Sequence, residues 1–516
     1  MKIFDYAIIG AGCTGSYLAK RLQCLFPSAK ILIIEKTIKY GGRHQSHYFK
    51  SKFNPKNIAY EYGGMRYYPS IHPRVSKILK LLNIKSSQIN DQLPNNINYV
   101  RNHGFTNNFV FPESDKIYYV YENELNKNVF TLVNNSIKKT IGKYSKNIAD
   151  YENRKKFFNI PQYSELPFSC IIGNDVTRNG IGISHENYNR YVDLTGYSNV
   201  FSDMSFSVGS VENLALENRD ASMFFVQKGF NQIEKKLLKQ FSIVSNIKQT
   251  KKLKHCIIYN SIFTKFKKKH NYINCYFKQI QSNQDPEFET CNYLSKHKIK
   301  TKNLFICTQK KFNTQIKGFN KKYSELLNEI TISFNVVKIY LKYNNNWWNK
   351  LGFTNGGKNI TDLFISQAWF YDENTILIYS LYDSATFWKG LLPYKIQREF
   401  VDIKSDNLYN LSNILTDQLK KIFVCNDIPL PNKISWNYWN EALSFWKSYK
   451  NELSNTVNIE HIRNKIHYPF GIKGGIYSIN SDFSLNQGWS EGCLEEVDQI
   501  IYDLYRAPSL LQIKEL

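Results

Sequence analysis

The sequence predicts an α/β fold organised around a strand–turn–helix–strand unit near its start. Three observations predict it: an apolar run at 4–9, a glycine-rich turn at 10–15, and a second apolar run that ends in an acid, Glu35. The residues between the turn and the second run have a pattern compatible with a helix. Strand, turn, helix and strand in this order are typical of a parallel sheet covered by helices.

The glycine-rich turn has the Rossmann-type pattern GxGxxG. We expect Gly10 to make the tight turn, Gly12 to let the backbone approach a pyrophosphate, and Gly15 to let the helix pack closely on the strand. The pyrophosphate would bind at the helix N-terminus, where free N–H groups and the helix dipole favour anions. Glu35 follows Gly15 by 20 residues, where a carboxylate accepts hydrogen bonds from ribose hydroxyls. The sequence therefore predicts a dinucleotide site.

Length and composition indicate a large protein of the cell interior. A chain of 516 residues with 42% hydrophobic residues is expected to form two to four domains. Its nine cysteines are scattered without a CxxC pair, which predicts reduced thiols and argues against a zinc site or a disulfide framework; we predict no metal site. The first residues resemble no signal peptide and no apolar run is long enough to span a membrane, so we expect a soluble, cytoplasmic protein.

The formal net charge of +25 allows nucleic acid, a membrane surface or acidic ligands as partners. The lysines, however, are spread along the chain among abundant Asn, Ile and Tyr, a bias expected of AT-rich coding sequence. The densest basic run, 265–269, lies in a predicted hairpin. We therefore expect neither a nucleic-acid nor a membrane partner; steep salt dependence of binding would reveal the first.

Two glycine pairs, each soon followed by an arginine, come after the second predicted strand, at 40–43 and 60–68. These motifs resemble the flavin-containing amine oxidase superfamily and, within it, the L-amino acid oxidases. The resemblance implies non-covalent FAD, and it implies that Arg66 faces the carboxylate of the substrate. The residues it implies around the FAD pyrophosphate and isoalloxazine are Gly42, Arg43, Gly64, Met65 and Arg66.

The segment 475–492 resembles the C-terminal block of the same family, in which a strand and a Gln-Gly-Trp motif precede a helix. In the family an acid contacts the ribityl chain of FAD. An ungapped register places Ser481 there and Asp482 one residue late, so either a hydroxyl or a shifted carboxylate makes this contact. The helix N-terminus would stabilise negative charge on the flavin. The block implies cofactor contacts from Ser481, Asp482, Gly488, Trp489 and Ser490.

The resemblance also implies a substrate end. Lys338, in the predicted strand 336–341, corresponds to a catalytic lysine that hydrogen-bonds a water next to flavin N5. Tyr379 would share the substrate carboxylate with Arg66, although Tyr382 is close enough in sequence to exchange with it. Trp446 and Trp489 would line the substrate side. The remaining implied cofactor contacts are Gly10, Gly12, Cys13, Thr14, Gly15 and Glu35, with Phe263 near the adenine.

The predicted architecture is a Rossmann-type FAD-binding domain assembled from the discontinuous segments 1–70, 223–315 and 469–516. A substrate or helical insertion occupies 71–222, and a mixed α+β substrate-binding domain occupies 316–468. Within them we predict helices at 72–84 and 231–238 and strands at 257–266, 271–277 and 302–308. No catalytic motif is found between 85 and 220, which reads as irregular and partly helical.

The implied reaction is oxidative deamination of an L-amino acid to a 2-oxo acid, ammonia and hydrogen peroxide, with molecular oxygen as second substrate. An amine or polyamine oxidase and a decarboxylating amino-acid monooxygenase remain as alternatives. Arg66 favours a substrate that bears a carboxylate. A degenerate FAD-fold scaffold protein also remains open, supported by Ser481 at the acid position. Assembly as a homodimer is compatible with the sequence.

Overall fold

The structure is a computed structural model that describes residues 3–48, 59–90, 92–108, 110–146, 150–173, 182–216, 222–281, 293–393, 398–404, 406–448 and 458–516. Its strands are β1 Ile3–Ile9, β2 Ile31–Ile34, β3 Ser46–His47, β4 Tyr60–Glu61, β5 Ser86–Ile89, β6 Ile97–Val100, β7 His103–Thr106, β8 Met223–Val226, β9 Ser242–Val244, β10 His255–Ile258, β11 Ser261–Lys268, β12 Ile273–Ile280, β13 Tyr293–Ile306, β14 Thr331–Lys342, β15 Lys358–Thr361, β16 Gln367–Asp372, β17 Thr375–Leu381, β18 Val401–Asp402, β19 Lys433–Trp446 and β20 Ile476–Ser478.

Its α-helices are α1 Cys13–Leu25, α2 Pro73–Leu81, α3 Val110–Ser114, α4 Val129–Ile141, α5 Tyr151–Phe158, α6 Pro161–Ser164, α7 Phe168–Ile172, α8 His185–Thr195, α9 Phe206–Leu216, α10 Gln232–Leu237, α11 Lys310–Asn313, α12 Lys321–Ile330, α13 Tyr382–Lys389, α14 Asp406–Phe423, α15 Ile459–His467 and α16 Ser490–Tyr505. Among the described residues, no helix combines the length and the apolarity needed to cross a bilayer.

The first sheet is the predicted Rossmann-type sheet. Its parallel strands lie in the order β20, β13, β1, β2, β10 and β9, and the antiparallel hairpin β11–β12 joins it along the first part of β13. These strands come from the beginning, the middle and the end of the chain. The structure thus confirms an α/β fold with a parallel sheet assembled from discontinuous segments.

Helices α1, α2, α10 and α16 contribute to the apolar core that covers one face of this sheet. The glycine turn lets α1 approach β1, because a Cβ on Gly15 would lie 2.0 Å from the Gly10 carbonyl oxygen. Gly10 itself has φ of +99°, a backbone conformation that side chains disfavour. The two glycines therefore have the structural roles that the pattern predicted.

The second sheet has the order β18, β19, β14, β17, β16, β15, β6 and β7. Its centre is antiparallel, and β14 pairs with β17 on one side and with β19 on the other. Strands β6 and β7 come from 97–106, so the segment that the sequence indicated as irregular and partly helical also extends this sheet. Helices α3 to α9 follow, and α4 to α9 contribute to a separate apolar core.

Several element boundaries differ from the prediction. The single strand predicted at 257–266 is divided into β10 and β11, because Asn260 between them has φ of +51° and turns the chain. Asparagine tolerates this left-handed conformation better than most residues. The helix predicted at 72–84 forms over Pro73–Leu81, with proline in its first turn.

Candidate functional site

A cavity of about 330 Å³ runs from the strand ends of the first sheet to strands β14, β17 and β19 of the second. Most of the predicted site residues line it. They are Gly10, Gly12, Cys13, Thr14, Glu35, Gly42, Arg43, Gly64, Met65, Arg66, Phe263, Lys338, Tyr379, Ser481, Gly488, Trp489 and Ser490. One cavity thus joins the two ends that the sequence motifs indicated separately.

Gly12 leaves space against the backbone that the chain itself does not use. Its φ is −78°, which any residue adopts, and a Cβ there would meet no protein atom closer than 3.6 Å, at Gly42. Neither backbone strain nor packing within the chain therefore demands glycine at this position. Helix α1 begins next to it, no described side chain caps the helix, and Cys13 and Thr14 in its first turn line the cavity. This arrangement forms a cradle of the kind that suits an anionic group.

Glu35 is held at the end of β2 by three donors. One carboxylate oxygen accepts a hydrogen bond from the Ala11 N–H at 2.7 Å, and the other accepts from the N–H and hydroxyl of Thr37 at 2.9 and 2.8 Å. The side chain is 5% exposed and lines the cavity. Because a carboxylate offers about four acceptor positions, the oriented group retains capacity for a ligand hydroxyl.

Arg43 connects the first glycine loop to the C-terminal block. Its guanidinium donates to the Ala442 carbonyl at 2.9 Å, to Asp482 at 3.1 Å and to the Ser481 hydroxyl at 2.9 Å. A Cβ on Gly63 would lie 1.7 Å from the Arg43 carbonyl oxygen, so the second glycine loop packs directly on the first. The loops therefore form one rigid wall.

Ser481 and Asp482 divide the role that the sequence left open. Ser481 lines the cavity, whereas Asp482 is 1% exposed and does not. The Asp482 carboxylate instead accepts from Arg43 and, at 2.9 Å, from the backbone N–H of Lys310. Of the two residues, only Ser481 faces the cavity. The Asp482 carboxylate lies behind it and positions Arg43. Gly15 also lies behind the cavity wall, in its packing role.

Lys338 is anchored to the second glycine loop. Its ammonium donates to the carbonyl oxygens of Glu61 at 3.0 Å and Gly63 at 2.5 Å, and the side chain is 2% exposed. Burial lowers the pKa of Lys338, and the charge of Arg66 acts in the same direction while Glu61 opposes it. The two carbonyls leave one of the three ammonium hydrogens for the cavity.

Arg66, Tyr197 and Tyr379 form a polar group at this end of the cavity. Arg66 donates to the Tyr197 hydroxyl, and its guanidinium carbon lies 5.5 Å from the Trp369 ring centroid. Burial raises the pKa of Tyr379, Tyr197 raises it further and Arg66 opposes them. Tyr382 packs its ring on Phe334 at 5.2 Å and does not line the cavity, so of Tyr379 and Tyr382 only Tyr379 lines it.

The structure corrects the prediction that Trp446 lines the substrate side of the cavity. It is 1% exposed, it does not line the cavity, and its indole N–H donates to the Ser484 carbonyl at 3.0 Å. The residue ends β19, where its ring packs on Phe483. Trp439, on the same strand, lines the cavity instead and donates to the Tyr62 carbonyl at 2.6 Å.

The structure adds cavity residues that the sequence motifs did not indicate. His44 bonds Glu234 at 2.8 Å and Ser490 at 2.7 Å; burial opposes its protonation, yet Glu234 raises its pKa. Its neighbour Arg43 in the GGR motif was the available signal. Ligand atoms of Cys13, His44 and Glu234 lie within 4.8 Å of one another, but the hydrogen bond already pairs two of them. The absence of a metal centre stays a prediction.

Cys493 and Glu212 also line the cavity. A hydrogen bond between Cys493 and Cys13 lowers the pKa of Cys493 and raises that of Cys13. Glu212, on α9, accepts a hydrogen bond from the Trp489 indole at 3.1 Å. No sequence signal marked Glu212, because it lies in the segment without a recognised motif.

Comparison with known proteins supports the fold. The family described as NAD(P)-binding Rossmann-like domain matches residues 8–82. The chain is 24% identical over 536 aligned positions to uncharacterized protein R188 of Acanthamoeba polyphaga mimivirus, covering 99% of this chain and 96% of that protein. The structure of this chain is similar to that of cyclohexylamine oxidase from Brevibacterium oxydans IH-35A. The TM-score is 0.63 at 12% sequence identity, and the match covers 98% of this chain and 99% of the oxidase. The chain therefore shares the fold of that oxidase.

Proposed function

We propose that this chain is an FAD-dependent oxidoreductase that oxidises the C–N bond of an L-amino acid. The products would be a 2-oxo acid, ammonia and hydrogen peroxide, formed from the amino acid, oxygen and water. One observation carries the proposal: a single cavity connects the cradle at Gly12 with the group of Arg66, Tyr379 and Lys338. A nucleotide-bearing redox cofactor and a small acid could thus be held end to end.

The residues present fit FAD. Gly12 leaves room for a pyrophosphate against the backbone, and Glu35 stands where an adenosine ribose would lie. Two long helices, α1 and α16, begin at the cavity without a described side-chain cap, so their N-termini favour the anionic parts of the cofactor. Arg43, Ser481 and Phe263 would complete the contacts. Bound FAD would supply the acceptor for a hydride from the substrate.

The substrate end supports a carboxylate-bearing substrate. Arg66 and Tyr379 present a guanidinium and a hydroxyl to the same part of the cavity, a combination suited to binding a carboxylate. Lys338 would hold a water there through its remaining ammonium hydrogen, and Trp489 would form a wall beside the substrate amine. Their fixed positions would supply orientation, which is the contribution of the protein to such a reaction.

Amine oxidation is the second candidate. It receives the same support from the fold, since the similar solved structure is named an oxidase of cyclohexylamine. The two candidates differ in what Arg66 does, because an amine lacks the carboxylate that would pair with it. A soluble cytoplasmic enzyme, with or without assembly as a homodimer, remains part of the proposal.

The test is the visible spectrum of the purified protein, followed by anaerobic addition of each L-amino acid and of a panel of amines. Flavin bands that bleach with one L-amino acid, and peroxide release in air, would support the proposal. Bleaching only with amines would favour the second candidate. Protein that takes up no FAD would contradict both and would favour the scaffold alternative.

A further inference from the structure

Glu212 is the second carboxylate of the cavity. Among the described residues that line it, only Glu35 and Glu212 are acids. Glu35 is held by Ala11 and Thr37 at the nucleotide end. Glu212 contacts Trp489, and Trp489 in turn packs on Tyr68 and His72. The two acids thus have separate sets of partners in the cavity wall.

Glu212 is buried with little to compensate its charge. It is 7% exposed, and in the described parts of the chain its one recorded hydrogen bond is the neutral indole N–H of Trp489. Arg154 affects Glu212 only through its charge. Its guanidinium makes no recorded hydrogen bond to Glu212 and donates to Asn486 and Glu495 instead. Burial raises the pKa of Glu212 to about 7, and Trp489 and Arg154 oppose this only in part. A cationic ligand would offset the cost of burying this carboxylate.

The part of the cavity wall that comes from the region of the chain before Glu212 is apolar and aromatic. Residues from the same stretch of chain line the cavity, and none of them carries a charge: Tyr197, Val200, Phe201 and Met204. A pocket with such a wall and one acid suits a flexible methylene chain that ends in a cation. Tyr197 in this wall accepts a hydrogen bond from Arg66, whose guanidinium offers the opposite charge to a carboxylate.

We propose that Glu212 binds the cationic end of the substrate side chain, and hence that the substrates are L-amino acids with a basic side chain. This inference rests on the proposed function and adds the substrate class to it. The net charge of +25 disfavours a cationic ligand at the protein surface. Selectivity for a basic side chain would therefore come from Glu212 inside the cavity.

L-lysine and L-norleucine test this directly, because they share a four-carbon stem and differ by the terminal ammonium. With the FAD-loaded full-length protein, we expect kcat/KM for L-lysine to exceed that for L-norleucine by about 10- to 100-fold. Glu212→Gln keeps an acceptor for the Trp489 indole and removes the charge, so this ratio should fall at least about tenfold. The control Glu329→Gln removes an exposed carboxylate on α12 that does not line the cavity, and the ratio should stay unchanged.

The outcomes separate this inference from the proposed function. If L-norleucine is oxidised as well as L-lysine, or if Glu212→Gln leaves the ratio unchanged, the role of Glu212 is overturned while amino-acid oxidation stands. If cadaverine is oxidised in preference to pentylamine, amino acids are inert and the preference depends on Glu212, the amino-acid proposal fails and the cation role stands. If nothing reduces the flavin, calorimetry of L-lysine binding decides: affinity that is absent, or equal in Glu212→Gln, overturns the inference.

Discussion

Lys338 lies directly opposite Tyr379 across the antiparallel pair of β14 and β17. The two side chains project to the same face of the sheet, and the Lys338 ammonium nitrogen lies 5.2 Å from the Tyr379 ring centroid. Backbone hydrogen bonds between β14 and β17 of the second sheet fix this relationship, so neither residue depends on a loop for its position. The lysine and tyrosine that the proposed reaction uses are therefore held at constant spacing.

Replacing Lys338 should slow the chemical step. Lys338→Met removes the ammonium that would hold water in the cavity, and we expect the rate of anaerobic flavin reduction or of its reoxidation to fall by about 100-fold or more. Stopped-flow absorbance separates the two half-reactions. Lys342→Met, on the same strand but away from the cavity, serves as the control. Equal rates in both variants would exclude a catalytic role for Lys338.

Replacing Arg66 should separate amino acids from amines. Arg66→Met removes the guanidinium that would pair with the substrate carboxylate, so KM for the preferred amino acid should rise by about 10- to 100-fold. The corresponding amine, which has no carboxylate, should be affected much less. Tyr197→Phe removes only the hydroxyl that accepts from Arg66 and should give a smaller effect. A similar loss for the acid and the amine would show that Arg66 does not bind a carboxylate.

Two glycines of the same turn should respond differently to alanine. In Gly12→Ala the new Cβ meets no protein atom closer than 3.6 Å, so the melting temperature of the FAD-free protein should hardly change while FAD affinity falls by about tenfold or more. In Gly15→Ala the Cβ meets the Gly10 carbonyl at 2.0 Å, and we expect destabilisation of roughly 1–3 kcal/mol. Fluorescence titration and thermal melting measure the two effects. Loss of fold in Gly12→Ala would contradict this assignment.

A buried ion pair between α15 and α16 should contribute strongly to stability. Arg463 donates to Glu496, to the Phe483 carbonyl at 3.2 Å and to the Tyr151 hydroxyl at 3.2 Å, and Glu496 is fully buried. Arg463→Met should lower the free energy of unfolding by about 3–5 kcal/mol, because Glu496 loses its guanidinium partner. Lys155→Met breaks the more exposed pair with Glu460 in the first turn of α15 and should cost less than about 1 kcal/mol. Chemical denaturation compares them.

His72 should make the fold sensitive to acid. Burial, with a contribution from Arg154, lowers its pKa from 6.5 to about 3, so the folded protein keeps the ring neutral where the unfolded chain protonates it. The stability that neutral His72 contributes is fully present above pH 6.5. As the pH falls from 6.5 toward 3, the free energy of unfolding decreases by about 1.4 kcal/mol per pH unit.

His72→Asn retains an acceptor for the Tyr68 N–H and should flatten the pH dependence of the free energy of unfolding by this amount. Urea denaturation between pH 7.5 and 4.5 measures it, and the exposed His270→Asn is the control. An unchanged slope in His72→Asn would show that another group is responsible.

The sequence predicted what depends on neighbouring residues. Strand β1, the turn at Gly12, helix α1 and the acid Glu35 follow from residues close together in the chain, so the parallel sheet could be predicted. Glu212 could not be predicted, because its place in the cavity depends on α9 packing against Trp489, which lies 277 positions away in the chain.

The structure places Trp446 and Asp482 outside the cavity lining for the same physical reason. The sequence predicted Trp446 on the substrate side of the cavity, but at the end of β19 its ring packs in the core beside Phe483. For Asp482 the sequence showed an acid near the required position, while only the folded structure shows Arg43 and the Lys310 N–H occupying its two oxygens. Direction and competition among partners are set by tertiary contacts that sequence spacing does not contain.

The discontinuous assembly of the first sheet has a consequence for the order of folding. Strand β1 and helix α1 leave the ribosome before α16 does, yet the Tyr17 hydroxyl on α1 donates to Asp498 on α16, 481 positions later. Contacts of such long range close large loops and form slowly. Part of the apolar face of α1 therefore stays uncovered until α16 has been synthesised, and this exposure favours early aggregation.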